Sequence, residues 1–254
     1  MTFDSFIGVD WSGAAGAEHV NIQVAHCELG NSCPKLVQNP KGHLWSRQDL
    51  VDWIIGEVSQ SEVLIGCDFA FGFPFRSKGG FFPGETTAPK TAPELWHFVD
   101  DICLSSCNLY AGDFVHMLPW QKYFRWPGWV GELYEPSFRL TDVRCKEQRL
   151  GVPSSVFNLV GPKQVGLGSL AGMRFLRKLS CLVPEISIWP FHSFGPSAVV
   201  EVYPQLFYRR IGYGSKKVRK CSVLAEILRK YGSEARLSGN FLSDDQSDAI
   251  VIAA

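Results

Sequence analysis

Short apolar runs that end in a single acidic residue are the clearest pattern along this sequence. One such run predicts a buried strand over residues 3–10 that ends at Asp10, and another predicts a strand over residues 62–68 that ends at Asp68. The looser run AVVE ends in the same way at Glu201. A carboxylate at the end of a buried strand is costly to desolvate unless a cation lies beside it. The pattern therefore predicts several strand ends that contribute to one polar site.

The first third of the chain predicts three strands, a helix and a fourth strand. Alternation of apolar and polar residues favours strands over residues 20–27 and 35–38, and Ser46 is a typical helix N-cap. Apolar residues then follow at helical spacing. They are Leu50, Trp53, Ile54 and Val58. We expect the first three strands to form an antiparallel meander. This order differs from a nucleotide-binding βαβαβ unit and from a sandwich, and it matches the opening of a ribonuclease-H-like fold.

The middle of the chain, over residues 72–157, is rich in Gly, Pro and aromatic residues and shows little periodicity. A helical period marks only part of it, residues 93–107. Since a long irregular region is usually functional or a subdomain, we expect an insertion that covers one rim of the sheet. The whole chain, residues 1–254, is then one α/β domain whose mixed sheet is ribonuclease-H-like and flanked by helices.

The last third predicts further strands and helices in alternation. Residues 161–182 predict a glycine-rich turn that leads into a helix capped by Ser169. The other predicted elements are strands over 186–189 and 198–203, a short helix after Pro204, a helix over 221–231 and a closing helix that carries Asp248.

Composition narrows the class of protein. With 254 residues, 46% of them hydrophobic, the chain can bury a large core. Its 25 Lys and Arg residues cancel its 25 Asp and Glu residues, so no overall field attracts it to nucleic acid or to a membrane. Eight cysteines without zinc-like spacing are typical of free thiols in a reducing compartment. Because the sequence also lacks a signal peptide and a membrane-spanning apolar run, we expect a cytoplasmic protein with no membrane partner.

Four acidic residues are candidates for one metal site and for catalysis: Asp10, Asp68, Glu201 and Asp248. Oxygen ligands suit Mg²⁺ or Mn²⁺, which binds through few carboxylates together with water and substrate phosphate. In the predicted fold, the first and fourth strands are neighbours and the closing helix brings Asp248 to the same edge. Asp245 shares a helix face with Asp248 and is a candidate auxiliary ligand. The alternative interpretation is that each acid independently caps a turn or is stabilised by the dipole of its own helix.

Basic and glycine-rich segments supply candidates for substrate binding. The turn over residues 161–169 offers backbone N–H groups and Lys163 to a phosphate, although it lacks a Walker motif and is equally consistent with a plain tight turn. Arg139 and Arg144 suit phosphate binding on nucleic acid. The basic run over residues 216–220 favours a solvated helix start. The candidate substrate-binding residues are Lys163, Gln164, Ser169, Arg139 and Arg144.

Five segments of the chain together resemble a known family, the domain-of-unknown-function family 429. They are GVDWSG (8–13), IGCDFAFGFP (65–74), GPKQVGLGS (161–169), EVYP (201–204) and DDQSDAIVIAA (244–254). Members of that family are described as predicted ribonuclease-H-like nucleases. The resemblance extends over nearly the whole chain, and it implies an acidic site at Asp10, Asp68, Glu201 and Asp248.

Three functions are compatible with these residues. The first is a metal-dependent phosphodiesterase that cleaves nucleic acid, in which two ions about 4 Å apart can activate water and stabilise the leaving oxygen. The second is an actin-like phosphotransferase or ATPase, although those proteins normally duplicate the sheet and this chain has one copy. The third is a non-catalytic module that binds nucleic acid or protein and keeps the acids for folding. A serine-nucleophile mechanism is poorly supported because Gly-x-Ser-x-Gly is missing.

Overall fold

The chain folds as a mixed α/β protein in which helices flank a six-stranded mixed sheet. A computed structural model describes residues 2–30, 33–75, 78–161, 164–193, 195–214, 217–234, 236–237 and 239–254. The strands are β1 (Ser5–Asp10), β2 (Gln23–Glu28), β3 (Lys35–Val37), β4 (Val63–Cys67), β5 (Arg125–Trp126), β6 (Trp129–Val130), β7 (Ser187–Ile188) and β8 (Ala198–Glu201). The helices are α1 (Arg47–Val58), α2 (Ala92–Ile102), α3 (Gly112–His116), α4 (Leu140–Glu147), α5 (Gly166–Leu182), α6 (Pro204–Arg210), α7 (Cys221–Lys230) and α8 (Asp244–Ala253).

The chain divides into two compact units. The first comprises Met1–Trp11, Glu18–Asp68 and Leu179–Ala254, and it contains the six-stranded sheet. The second comprises Ser12–Ala17 and Phe69–Lys178, and it contains the β5–β6 ribbon. The organisation as one domain with an insertion over residues 72–157 stays a prediction.

The strand order of the main sheet is β3-β2-β1-β4-β8-β7. The first three strands pair antiparallel, which confirms the predicted meander, whereas β1, β4, β8 and β7 pair parallel. In the central pair, Gly8 lies beside Gly66 and Val9 beside Cys67. Val9 and Cys67 are fully buried, as the continuous apolar runs of these parallel strands predict.

Helix α8 packs on the centre of the sheet because two neighbouring glycines leave room for it. A side chain at Gly8 would overlap the backbone oxygen of Ala249, and its Cβ would lie 2.7 Å from the backbone nitrogen of Ala253. A side chain at Gly66 would overlap Ile252. The paired glycines therefore form a flat strip on β1 and β4 that allows close approach of the helix backbone.

Most predicted element positions are confirmed, and three require correction. The N-cap of α1 is Ser46, whose hydroxyl accepts a hydrogen bond from the backbone of Asp49 at 3.0 Å, as expected. The strand predicted over residues 20–27 begins only at Gln23, because the chain turns just before it.

The second and third corrections concern helices of the second unit. The helix predicted over residues 93–107 ends at Ile102, because Asn108 and Leu109 adopt φ values of 50° and 53° and place Cys107 in a separate short turn. Ser169 lies inside α5, not at its N-cap, because this helix already begins at Gly166.

Aromatic side chains form the core of the second unit, which accounts for the composition of the middle of the chain. The Phe82 ring lies 5.0 Å from that of Trp120 and 5.3 Å from that of Tyr123, measured between ring centroids. Phe124 and Phe157 pack at 5.4 Å on the same cluster. All five side chains are at most 5% exposed, so they stabilise the core and do not present a stacking surface for bases.

All eight cysteines are free thiols, and five of them are buried. None of the helices in the described parts of the chain has both the length and the apolar character needed to cross a membrane.

Candidate metal centre

Three aspartate side chains converge at the C-terminal ends of the central strands β1 and β4. Asp10 is the last residue of β1, Asp68 directly follows β4, and Asp248 lies in the second turn of α8. Carboxylate oxygens of the three residues all lie within 4.8 Å of one another. This acidic triad could hold a metal ion.

The sheet register explains why the triad forms. The backbone N–H of Asp68 donates to the carbonyl of Val9 at 3.0 Å, which places Asp68 level with Asp10. Since side chains alternate between the faces of a strand, each aspartate lies on the same face as the glycine two residues before it. That face carries α8, and the helix brings Asp248 to both strand ends. The repeated Gly-x-Asp pattern is thus a sequence signal for the triad that reasoning from the acids alone missed.

Burial and mutual repulsion disfavour the charged forms of the triad. Burial, followed by the charges of Asp68 and Asp248, raises the pKa of Asp10 well above its usual range. Burial and the charges of Asp248 and Glu201 raise the pKa of Asp68 to about 8. Burial also raises the pKa of Asp248 to about 6, against a lowering effect from Tyr208. A cation among these oxygens would relieve the repulsion, so the donor set fits a positively charged ligand.

Tyr208 supports the triad and was not identified from the sequence. This residue of α6 is 1% exposed, and its hydroxyl donates a hydrogen bond to Oδ1 of Asp248 at 2.7 Å. Burial and the charge of Asp248 raise the pKa of Tyr208 far above its usual value, so the hydroxyl keeps its proton. The segment QLFYRRI predicts only a short helix. Its hydrogen-bond acceptor, Asp248, lies 40 positions later in the chain, and no local pattern indicates that partner.

Glu201 is not brought into the triad. It lies beside Cys67 in the sheet register, one residue before the level of Asp68, and it is exposed. Because successive residues of a strand alternate between its faces, this offset directs Glu201 away from the side that Asp68 occupies. Its charge still contributes to the raised pKa of Asp68. The predicted catalytic and metal-binding roles of Glu201 stay predictions.

Asp245 lies next to the triad but outside it. Its Oδ2 accepts a hydrogen bond from Nδ2 of Asn21 at 2.7 Å, and its charge raises the pKa of both Asp10 and Asp248. The preceding residue, Asp244, pairs instead with two cations, and hydrogen bonds led by that from Arg219 lower its pKa to about 2. The auxiliary metal role of Asp245 therefore stays a prediction.

The candidate residues of the glycine-rich turn differ in accessibility. Ser169 is fully buried, and its hydroxyl accepts from the backbone of Ala70 at 3.3 Å and donates to the carbonyl of Val165 at 2.9 Å. These bonds give Ser169 a structural role within the second unit. Gln164 is exposed, and Lys163 lies outside the described residues.

The two candidate arginines belong to α4 of the second unit. Arg139 binds Asp142 through hydrogen bonds of 3.0 Å from Nε and 2.8 Å from Nη2, and its backbone N–H donates to the same carboxylate at 2.9 Å. Arg144 is exposed on the same helix. Their assignment to substrate binding stays a prediction.

No protein-family model, curated protein or solved structure matches this chain.

Proposed function

We propose that this protein is a Mg²⁺- or Mn²⁺-dependent phosphodiesterase that cleaves nucleic acid and has a ribonuclease-H-like fold. The observation that carries the proposal is the convergence of the Asp10, Asp68 and Asp248 carboxylates within 4.8 Å. An all-oxygen set of few carboxylates is typical of Mg²⁺ sites, which leave ligand positions open for water and substrate phosphate. Two oxygens on opposite sides of a Mg²⁺ ion lie about 4.2 Å apart. The triad oxygens lie within 4.8 Å of one another, so small side-chain rotations suffice to close the site around such an ion.

Two further observations support the fold and the assignment. An antiparallel meander that continues into parallel strands, in the order β3-β2-β1-β4-β8, extends the strand pattern that suggested a ribonuclease-H-like fold. In addition, three of the four acids implied by the resemblance to domain-of-unknown-function family 429 belong to the triad.

The residues of the chain would hold the cation and prepare the site for it. A bound divalent cation would polarise a phosphoryl oxygen and stabilise charge on the leaving oxygen. Tyr208 holds one oxygen of Asp248 by its hydrogen bond and so fixes the orientation of this carboxylate. With a pKa of about 8, Asp68 carries a proton at pH 7 in the metal-free protein. Since a ligand must lose its proton on binding a cation, we expect metal affinity to rise with pH through this range.

A comparison of the wild type with Asp10→Asn tests the proposal. We expect Mn²⁺ at 100 times its Kd to stabilise the wild type by about 2.7 kcal/mol, and not the variant, in thermal unfolding followed by fluorescence. We also expect Mn²⁺-dependent cleavage of DNA or RNA oligonucleotides that is lost in Asp10→Asn. Asp52→Asn, which alters an exposed acid of α1, is the matched control.

Other outcomes would replace the proposal with a specific alternative. Cleavage that persists in Asp10→Asn would show that the triad is not the active site. Stabilisation by a nucleotide with Mg²⁺, without nuclease activity, would favour a phosphotransferase. An absence of any metal effect on unfolding would favour a non-catalytic module.

A further inference from the structure

An open cavity of about 380 Å³ lies at the start of α8, beside the triad. Its lining combines two basic side chains with polar and acidic ones. The lining residues are Asn21, Lys217, Arg219, Leu242, Ser243, Asp244 and Asp245. The sequence suggested only a solvated basic run for the segment that contains the two cations, so the cavity adds a feature that the proposed metal centre leaves unused.

A shared carboxylate fixes the two cations in the cavity wall. Nε and Nη2 of Arg219 donate to the two oxygens of Asp244 at 2.8 and 3.0 Å, and the Lys217 ammonium group pairs with the same carboxylate. The two cations and the carboxylates of Asp244 and Asp245 cancel in formal charge across the whole lining, but Asp244 is the carboxylate that both cations engage. The side chains of Lys217 and Arg219 are 66% and 63% exposed, so their remaining N–H donors are accessible to a ligand.

The cavity is electrostatically continuous with the metal centre. Asp245 lines the cavity, and its charge acts on both Asp10 and Asp248. The charge of Lys217 acts on the same two aspartates with the opposite sign. Asp245 and Asp248 are three residues apart on one helix, which corresponds to a rise of about 5 Å. The cavity therefore begins within one turn of α8 from the triad.

We propose that this cavity binds a phosphate adjacent to the reacting phosphodiester, through Lys217 and Arg219, so that the substrate is a polynucleotide strand with several consecutive phosphates. Arginine and lysine held at a fixed geometry are common phosphate ligands. The inference rests on the proposed function and specifies its substrate class. A mononucleotide or a small phosphodiester would leave the cavity empty.

The test compares the wild type with the double variant Lys217→Gln/Arg219→Gln. Binding of fluorescein-labelled DNA and RNA strands of 12 nucleotides is measured by fluorescence anisotropy, with Ca²⁺ in place of Mn²⁺ and over a series of salt concentrations. Lys220→Gln is the matched control, because this exposed lysine belongs to the same basic run but does not line the cavity. We expect the double variant to bind at least tenfold more weakly at low salt. We also expect its plot of log affinity against log salt to be shallower by about two units, since each lost phosphate contact lowers the slope by about one.

Parallel kinetics with Mn²⁺ separate the subsite from the activity. For the oligonucleotides, KM should rise at least tenfold in the double variant. For a dinucleotide with a single phosphodiester, the rise in KM should be much smaller, because this substrate does not reach the cavity. Unchanged oligonucleotide binding and salt slope in the double variant, or no binding by the wild type, would overturn the subsite even if cleavage is observed. A large loss of binding without cleavage by the wild type would support the subsite and contradict the proposed function. Should the double variant unfold early in thermal denaturation, the single variant Lys217→Gln replaces it in every measurement.

Discussion

Replacing Asp68 by asparagine should change how the stability of the metal-free protein depends on pH. The asparagine side chain would keep the shape of the aspartate while removing the charge that burial and neighbouring acids disfavour. Below the unfolded pKa of 3.8 the wild-type carboxyl is neutral in both the native and the unfolded state, so the substitution should have little effect there. At neutral and alkaline pH the variant should be the more stable protein.

The size of the effect follows from the two pKa values of Asp68. The native value is about 8 and the unfolded value 3.8. Between them the native state holds a proton that the unfolded state has released, so stability falls by about 1.4 kcal/mol for each unit of rising pH. The stabilising effect is complete below the unfolded pKa and is lost as pH rises through the native one. From pH 5 to pH 7 the wild type should therefore lose about 3 kcal/mol relative to Asp68→Asn.

Urea unfolding at pH 5, 6 and 7 in EDTA measures this difference directly. For a chain of this length, about 3 kcal/mol should also appear as a difference of roughly 6–12 °C in Tm. Asp52→Asn serves as control, because its exposed side chain should leave the pH dependence of the wild type intact. Parallel stability curves for the wild type and Asp68→Asn would refute the reasoning, as would a variant that is less stable at every pH.

Two further substitutions probe how the triad is positioned. Tyr208→Phe removes the hydrogen-bond donor to Asp248, so the free energy of unfolding should fall by about 1–3 kcal/mol. The pH midpoint of Mn²⁺ binding, measured by calorimetry, should also move upward. An unchanged midpoint would contradict the role of the hydrogen bond. Gly8→Ala should destabilise the protein by about 3 kcal/mol and weaken Mn²⁺ binding, because the new methyl group overlaps α8. Gly56→Ala, where a Cβ meets no atom within 4 Å, should instead stabilise α1 by about 0.5–1 kcal/mol, and equal effects of the two alanines would argue against helix displacement.

The elements that hold the triad were predictable because their signals are local. The apolar run before Asp10, the similar run before Asp68 and the helical spacing of Asp245 and Asp248 each lie within a few consecutive residues. Alternation and helix capping act over this same short range. Pairing these elements then required only that the first and fourth strands be neighbours, as the strand order of the predicted fold implied.

The remaining features depend on register and distant packing, which local patterns do not encode. The run before Glu201 resembles the run before Asp68, and only the pairing of Cys67 with Glu201 reveals the offset of one residue. A one-residue shift moves every side chain of a strand to the opposite face of the sheet. Asp68 and Glu201 therefore lie on different faces although similar apolar runs precede them. Likewise, the bond from Tyr208 to Asp248 joins residues 40 positions apart.

The paired glycines show that the acidic site and the packing of α8 are parts of one arrangement. Gly8 and Gly66 lie side by side, and each is followed two residues later by a triad aspartate on the same face. Close approach of the helix backbone buries the two strand ends, and this burial in turn raises the pKa of both aspartates. The contact that brings Asp248 to the site thus also creates the need for a cation there. A substitution that lets the helix move away should therefore reduce metal affinity and the repulsion among the acids together.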